Sequence, residues 1–234
     1  MKNTRVCPNC NSENHFIAYT CADCQHYLRD KVVNINIWSE FWSFLETPFE
    51  SFKRIILAEH KNYLILMLLV ILLKLFVNSI IIQTTFEINQ EITSNLIPNF
   101  LLESGYVISF LILFSLILNK LINIFGIKSK FKNILSILIF SMWPLTFGLA
   151  VLPAVEYALF GSYFFTFDVS PFEMKPAAAY MLYGLEALIF LSAVIYVFIG
   201  MKVQTNSKLF SSVTAILFGG ALFAVNTFLP LFPL

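Results

Sequence analysis

The 234-residue chain is 58% apolar and 12% charged, with a mean hydropathy of +0.78; an ordinary soluble domain carries about 25% charged residues. That balance excludes a water-soluble globular domain, because the apolar residues gather into five runs of a length that crosses a bilayer: at about 1.5 Å per residue, roughly 20 helical residues span a hydrocarbon core about 30 Å thick. The net charge of +1 decides nothing by itself, since loop placement of lysine is what orients a membrane protein.

All four cysteines lie at the N-terminal end, as Cys7-Pro8-Asn9-Cys10 and Cys21-Ala22-Asp23-Cys24. Two CxxC pairs at this separation can place four thiolates around a tetrahedral ion, with each sulfur about 2.3 Å from Zn²⁺. Paired disulfides or redox-active thiols are the competing readings; a reducing compartment and the lack of a thioredoxin-like βαβ context disfavour both. His15 and His26 are near enough in sequence to replace a cysteine, although four sulfurs already suffice. A closed four-thiolate site has no open position for substrate, so the zinc is expected to be structural. Residues 1–30 are thus predicted as a small zinc ribbon, two knuckles joined by a β-like stretch over His15–Tyr19. Lys2, Arg5 and Arg29 balance Glu13, Asp23 and Asp30, which argues against nucleic acid as a partner and for a protein-docking role.

Residues 31–61 form a linker and an amphipathic stretch in which Trp38, Phe41, Trp42, Leu45, Phe49, Phe52 and Ile56 recur at helical spacing. Thr47-Pro48-Phe49-Glu50 reads as a capping box with proline at the first helical position. A short helix over 38–46 is therefore predicted to precede a second one starting at Pro48. Aromatics with Lys53, Arg54 and Lys61 suit a helix lying in the headgroup layer; packing on the membrane helices is the alternative.

Residues 62–234 are predicted to be a five-helix membrane domain with spans over about 62–82, 106–125, 133–155, 177–200 and 209–230. The first carries Lys74 and Asn78, yet 15 Leu, Ile, Val or Phe residues between Tyr63 and Ile82, at about −0.3 to −0.6 kcal/mol each, outweigh about +2.5 to +3.5 for one lysine. Pro144 is expected to kink the third span near Phe140–Pro144. The segments 83–105 and 156–176 are read as loops, which places Glu103 and Glu156 outside the helices. Lys120, Lys128, Lys130, Lys132, Lys202 and Lys208 flank the connections after spans two and four, against Lys175 alone after spans one and three. This asymmetry predicts an N-inside, C-outside orientation, which five spans satisfy. No apolar signal-peptide core occurs before residue 62, so the N-terminus is expected to stay on the side of synthesis.

A proline-centred amphipathic segment, Leu45-Glu46-Thr47-Pro48-Phe49-Glu50-Ser51-Phe52-Lys53-Arg54-Ile55, leads into five close-set spans. The third of these opens Phe131-Lys132-Asn133-Ile134-Leu135 and contains Trp143-Pro144. Over residues 40–230 this resembles the Yip domain, the membrane domain of Ypt/Rab-interacting proteins, which bacteria and archaea also carry, sometimes behind a zinc ribbon. The resemblance implies a five-helix bundle with a cytosolic N-terminal region. Eukaryotic members are associated with vesicle trafficking and membrane shaping. The ribbon departs from the eukaryotic pattern and, with the short loops, points to a prokaryotic cytoplasmic membrane and away from Rab binding.

Ionisable residues inside a bilayer are functional candidates by default. Counted from the predicted outer ends of antiparallel spans, Lys74 and Glu186 both lie about 12 to 14 Å deep, so they are expected to pair. Glu156, Asn78, Asn119 and Asn226 are further polar candidates. In the fifth span Ala215, Gly219, Gly220 and Ala224 form small-xxx-small steps for close helix contact. No phosphate-cradling glycine loop, HExxH or GxSxG motif occurs, and His15, His26 and His60 all precede the first span. The expected function is therefore non-enzymatic: a membrane-organising or complex-scaffolding subunit, alone or as an oligomer, whose ribbon docks a protein partner. The alternative is a small transporter or permeation subunit using Lys74 and Glu186, which a water-filled cavity reaching those two residues would favour, whereas a dry, tightly packed interior would favour scaffolding.

Overall fold

A computed structural model describes residues 3–86, 95–166 and 168–228. Strands β1 (Thr4–Val6) and β2 (Glu13–His15) pair antiparallel, with Arg5 opposite Asn14, and an isolated bridge joins Thr20 to Tyr27. Each CxxC lies on the same tight turn. Asn11 N donates to Cys7 O (3.0 Å) and Cys7 N to Ser12 O (2.9 Å); Gln25 N donates to Cys21 O (3.1 Å) and Cys21 N to His26 O (2.9 Å). The residue after each second cysteine, Asn11 or Gln25, adopts a left-handed φ of 58° or 59°. The expected β-like stretch over His15–Tyr19 is extended only at His15, because a turn follows in which Ala18 N donates to His15 O.

Helix α1 (Ile37–Glu46) starts at Asn36, whose side chain accepts from Trp38 N and Ser39 N. Helix α2 (Pro48–Leu57) begins at Pro48 as expected. The capping box does not form: Thr47 makes no side-chain cap bond, and Glu50 pairs instead with Lys53 at 2.5 Å. Thr47 is shared between two helices, its N–H donating to Ser43 O and its carbonyl accepting from Glu50 N and Ser51 N, which fixes its backbone away from ordinary cap geometry. The predicted apolar face is divided. Phe52, Ile55 and Ile56 are buried in the main core, where α2 packs on the membrane helices, whereas Trp38 (78% exposed) and Trp42 (62%) face outward. The headgroup-layer reading therefore holds no room for α2, which is part of the bundle, and α1 alone presents an apolar outer face.

The membrane helices are α3 (Leu64–Thr85), α4 (Leu96–Ile124), α5 (Phe131–Ser141), α6 (Trp143–Phe160), α9 (Pro176–Thr205) and α10 (Lys208–Phe228). Short helices α7 (Tyr163–Thr166) and α8 (Pro171–Met174) lie between α6 and α9. Helices α5 and α6 make one span, Phe131–Phe160, so five segments are long and apolar enough to cross a membrane. The helix stops at Ser141 and restarts at Trp143, with Pro144 in the first turn of α6; proline is tolerated there because no intrahelical N–H bond is needed. Two predicted loops are wrong in extent. Residues 96–105 belong to α4 and 156–160 to α6, because the helices run past the minimum needed to cross the hydrocarbon. Glu87, Glu91 and the predicted end of span five at Pro230 lie outside the described residues.

Helix α9 is the hub, packing against α2, α5, α6 and α10. Gly200 makes this possible, since a Cβ there would sit 2.6 Å from Ile137 Cγ2 and 2.9 Å from Phe52 Cε1. An aromatic cluster anchors α1 on the bundle: Phe44 stacks on Trp143 (5.6 Å, 15°), Tyr196 meets Trp143 edge-on at 5.5 Å, and Tyr196 Oη donates to Phe44 O at 2.8 Å. Outward-facing Leu66, Leu69, Leu73, Leu113, Leu116, Leu188, Leu191 and Ile195 form the continuous apolar surface that a lipid solvent requires and a soluble protein avoids.

Candidate functional site

The four cysteines converge. Their sulfurs all lie within 4.8 Å of one another, with Cys7 to Cys24 at 3.6 Å and Cys10 to Cys21 at 3.5 Å. Disulfide sulfurs would be about 2.05 Å apart, and all four thiols are free. Tetrahedral thiolates at about 2.3 Å from a zinc ion lie about 3.8 Å from one another, so the donor set fits such an ion. Its surroundings act unequally on the thiols. Backbone N–H of Cys24 and the Ser12 hydroxyl hold the Cys21 thiol down to about 5, the His26 N–H lowers Cys24, and burial pushes Cys7 up to about 11. Asn14 Nδ2 donates toward Cys21 Sγ at 3.3 Å while its Oδ1 accepts from Ala22 N at 2.9 Å, bracing the second knuckle against the first. Neither histidine joins the cluster. His15 Nε2 accepts from Lys128 N at 3.1 Å, with its ring kept neutral by burial and the Lys128 charge, and the His26 carbonyl closes a turn.

This cysteine module rests on the bundle. Asn3 Nδ2 donates to Val203 O (3.0 Å) and Gln204 O (2.8 Å) at the end of α9, His15 holds the α4–α5 connection, and Phe16 and Ile17 pack against the main core. Val6, Tyr19 and Tyr27 of the module are exposed, the two tyrosines meeting edge-on at 5.2 Å and the Arg29 guanidinium lying 5.8 Å from the Tyr19 ring.

Within the bundle Lys74 on α3 is fully buried, and its ammonium donates to Glu186 Oε1 on α9. Gly148 on α6 makes room, since a Cβ there would lie 3.3 Å from Lys74 Cε. Glu156, also on α6 and fully buried, is close enough to interact with both Lys74 and Glu186. Both Glu156 oxygens and Glu186 Oε2 lack a hydrogen-bond partner among the described residues, as does Asn78 Oδ1. Lys74 thus forms its ion pair with Glu186, and Glu156 lies beside that pair. A cleft of about 340 Å³ reaches Glu186, Asn78 and Asn226 between α3, α9 and α10; its other walls are Leu75, Ile81, Ile82, Tyr183, Ala187, Phe190, Leu191 and Phe223. Ala187, Leu191 and Phe223 are exposed at mid-helix positions, so the cleft faces the side of the bundle. Lys74 is not among its lining residues.

A second polar chain includes a residue that sequence reasoning placed in a loop. Gln83 Nε2 donates to Ser79 Oγ (2.7 Å), which donates to Asn226 O (3.1 Å). With its amide nitrogen turned toward the available acceptors, Asn226 donates to Leu75 O (3.2 Å) and to Glu103 Oε1 (3.0 Å). The signal for Glu103 is its phase: it continues the buried stripe Val107, Leu111, Ser115, Leu118 and Ile122 on α4. Asn119 lies on α4 outside both groups. No family model matches this chain, and neither a curated protein nor a solved structure matches it.

Proposed function

We propose that the chain is a non-enzymatic membrane protein of Yip type, in which a zinc ribbon formed by Cys7, Cys10, Cys21 and Cys24 docks a protein partner at one end of an N-inside, C-outside five-helix bundle. Zinc would act by cross-linking the two knuckles, supplying the fold energy that so small a core lacks. The observation that carries the reading is a cysteine module that is anchored yet keeps exposed aromatics. It is tied to α9 and the α4–α5 connection, and the Tyr19–Tyr27 pair and Val6 stay exposed. An anchored module with a free aromatic face transmits partner binding to the membrane domain, which is the geometry of a scaffold. Tyrosine is favoured at such contacts because it offers large area with little rotamer entropy to lose. The setting is a prokaryotic cytoplasmic membrane, with Lys128 and Lys130 on the α4–α5 connection and Lys120, Lys132, Lys202 and Lys208 in the adjoining helix ends. Purification in mild detergent tests this: a stoichiometric companion should co-elute with the wild type and be lost from Tyr27→Asp and from Cys7→Ser/Cys10→Ser. A wild-type protein that elutes alone would remove the docking role.

One observation favours the second reading. Glu156 lies buried beside the Lys74–Glu186 pair with no hydrogen-bond partner among the described residues, and the cleft reaches Glu186, so the site has the composition to take a proton or a cation at membrane depth. Its predominantly apolar, sideways-facing walls favour an amphiphile over an aqueous path, which keeps scaffolding first. Proteoliposome uptake of protons or monovalent cations that vanishes in Glu156→Gln would reverse the order.

A further inference from the structure

A second pocket lies where the cysteine module meets the bundle. It measures about 250 Å³, and its polar lining is Arg29, Lys61, Lys130, Lys132, Asn133 and Glu59. The single acid, Glu59, pairs with Lys31 at 3.2 Å and also acts on Arg29, so it offsets one of the four basic charges. Lys130 and Lys132 form no ion pair among the described residues. Arg29 spends Nη1 and Nη2 on Asp30 O (3.0 Å) and Ile17 O (3.3 Å), which leaves its buried Nε with no acceptor. Lys61 donates to the carbonyls of Ile55, Ile56 and Ala58 at the end of α2, so its position is fixed by the fold.

Four cationic side chains around one pocket repel one another unless something negative joins them. The crowding is visible in Lys61, whose ammonium is held down to about 7 by burial and by the charges of Lys132, Lys130 and Arg29. The orphaned Arg29 N–H calls for an oxygen acceptor, and Arg and Lys together match the charge and lone-pair geometry of a phosphate. Helix α5 starts at Phe131, immediately beside Lys130, so its free N–H groups add positive potential on the same side.

We propose that this pocket binds a phosphate-bearing anion. The ligand is recognised by its phosphoryl oxygens; Lys130 and Lys132 supply the attraction and Arg29 Nε one directed donor. The pocket sits at the start of both α3 and α5, at the edge of the apolar spans, where an anionic phospholipid headgroup is within reach, and Ile17 and Leu57 give it an apolar wall. A water-soluble phosphate compound presents the same chemistry. Because Arg29 and Ile17 come from the cysteine module and the lysines from the bundle, the ligand would bridge the two.

Native mass spectrometry of the full chain in detergent, titrated with phosphatidylglycerol, phosphatidylcholine or inorganic phosphate, tests the assignment. Each lysine near an anionic group contributes about fivefold in affinity, so Lys130→Gln/Lys132→Gln should weaken binding about thirtyfold. Lys130→Arg/Lys132→Arg should retain it, and Lys120→Gln/Lys208→Gln, the same charge change at exposed lysines elsewhere, should leave it unchanged. Preferential binding of phosphatidylglycerol that phosphate does not displace identifies a lipid headgroup; binding of phosphate without lipid preference identifies a soluble ligand. If the Gln pair binds as the wild type does, if the control pair loses as much, or if neither phosphatidylglycerol nor phosphate binds, the proposal is overturned.

Discussion

Lys74→Met is the most informative single change in the membrane domain. Removing one partner of a buried ion pair costs about 3 to 5 kcal/mol, because the other charge is stranded. Here the stranded charge is Glu186, with the buried Glu156 beside it. At about 2 to 4 °C per kcal/mol for a chain of this size, the melting temperature in detergent should fall by about 6 to 20 °C. Glu186→Gln should cost much less, about 1 to 2 kcal/mol, the scale of a single hydrogen bond, since Glu156 remains to face the lysine and the amide oxygen still accepts from it. The order Lys74→Met worse than Glu186→Gln follows from a second acid lying beside the pair. A double-mutant cycle pairing Lys74→Met with Glu186→Gln, read by thermal unfolding, should show the second change costing less once the first is made. Equal losses for the two single variants, or a Lys74→Met protein melting within about 2 °C of wild type, would refute this reasoning.

Three other outcomes are expected. Gly219→Val places a Cβ 2.7 Å from Val194 Cγ2, whereas Gly220 has nothing within 4 Å; the first should lose about 1 to 3 kcal/mol by overpacking and the second almost none, in the same thermal assay. Elemental analysis should find one zinc per wild-type chain and none in Cys7→Ser/Cys10→Ser, with far-UV circular dichroism of the membrane helices retained. Lys61 titrates at about 7 in the folded chain and near 10.4 when unfolded. Between those values the unfolded chain binds more protons, so stability should rise with pH across that window and the Lys61 penalty should be full below it. Unfolding measured in phosphate-free buffer without anionic lipid should show this slope flattened by Lys61→Met.

The pairing of Lys74 with Glu186 was legible because depth along a helix is a linear count: both residues lie at matching distances from the ends of antiparallel spans. The direction each side chain points was not, and Glu156 escaped the count because an apolar-run rule ends a helix at the first acid. The same rule put Glu103 in a loop, although its phase with Val107 and Leu111 assigns it to the buried face of α4. On α1 the 3–4 spacing singled out Trp38, Phe41, Trp42 and Leu45; of these Phe41 meets Trp143 edge-on at 5.5 Å, while Phe44, off that spacing, stacks on the same ring. Periodicity names the faces of a helix, but the neighbour chooses which face is covered.

Composition, 58% apolar, and its gathering into five long runs pointed to lipid as the surroundings of most of this polypeptide, and the structure has five helices long and apolar enough to cross a membrane. The CxxC spacing likewise announced a four-sulfur cluster, because its ligands are local in sequence. Only the tertiary structure decided that the cysteine module is seated on the bundle, that three ionisable groups from α3, α6 and α9 meet at one depth, and that Arg29 joins Lys61, Lys130 and Lys132 around one pocket. Those arrangements depend on the rotation and packing of helices distant in sequence, which local pattern does not encode.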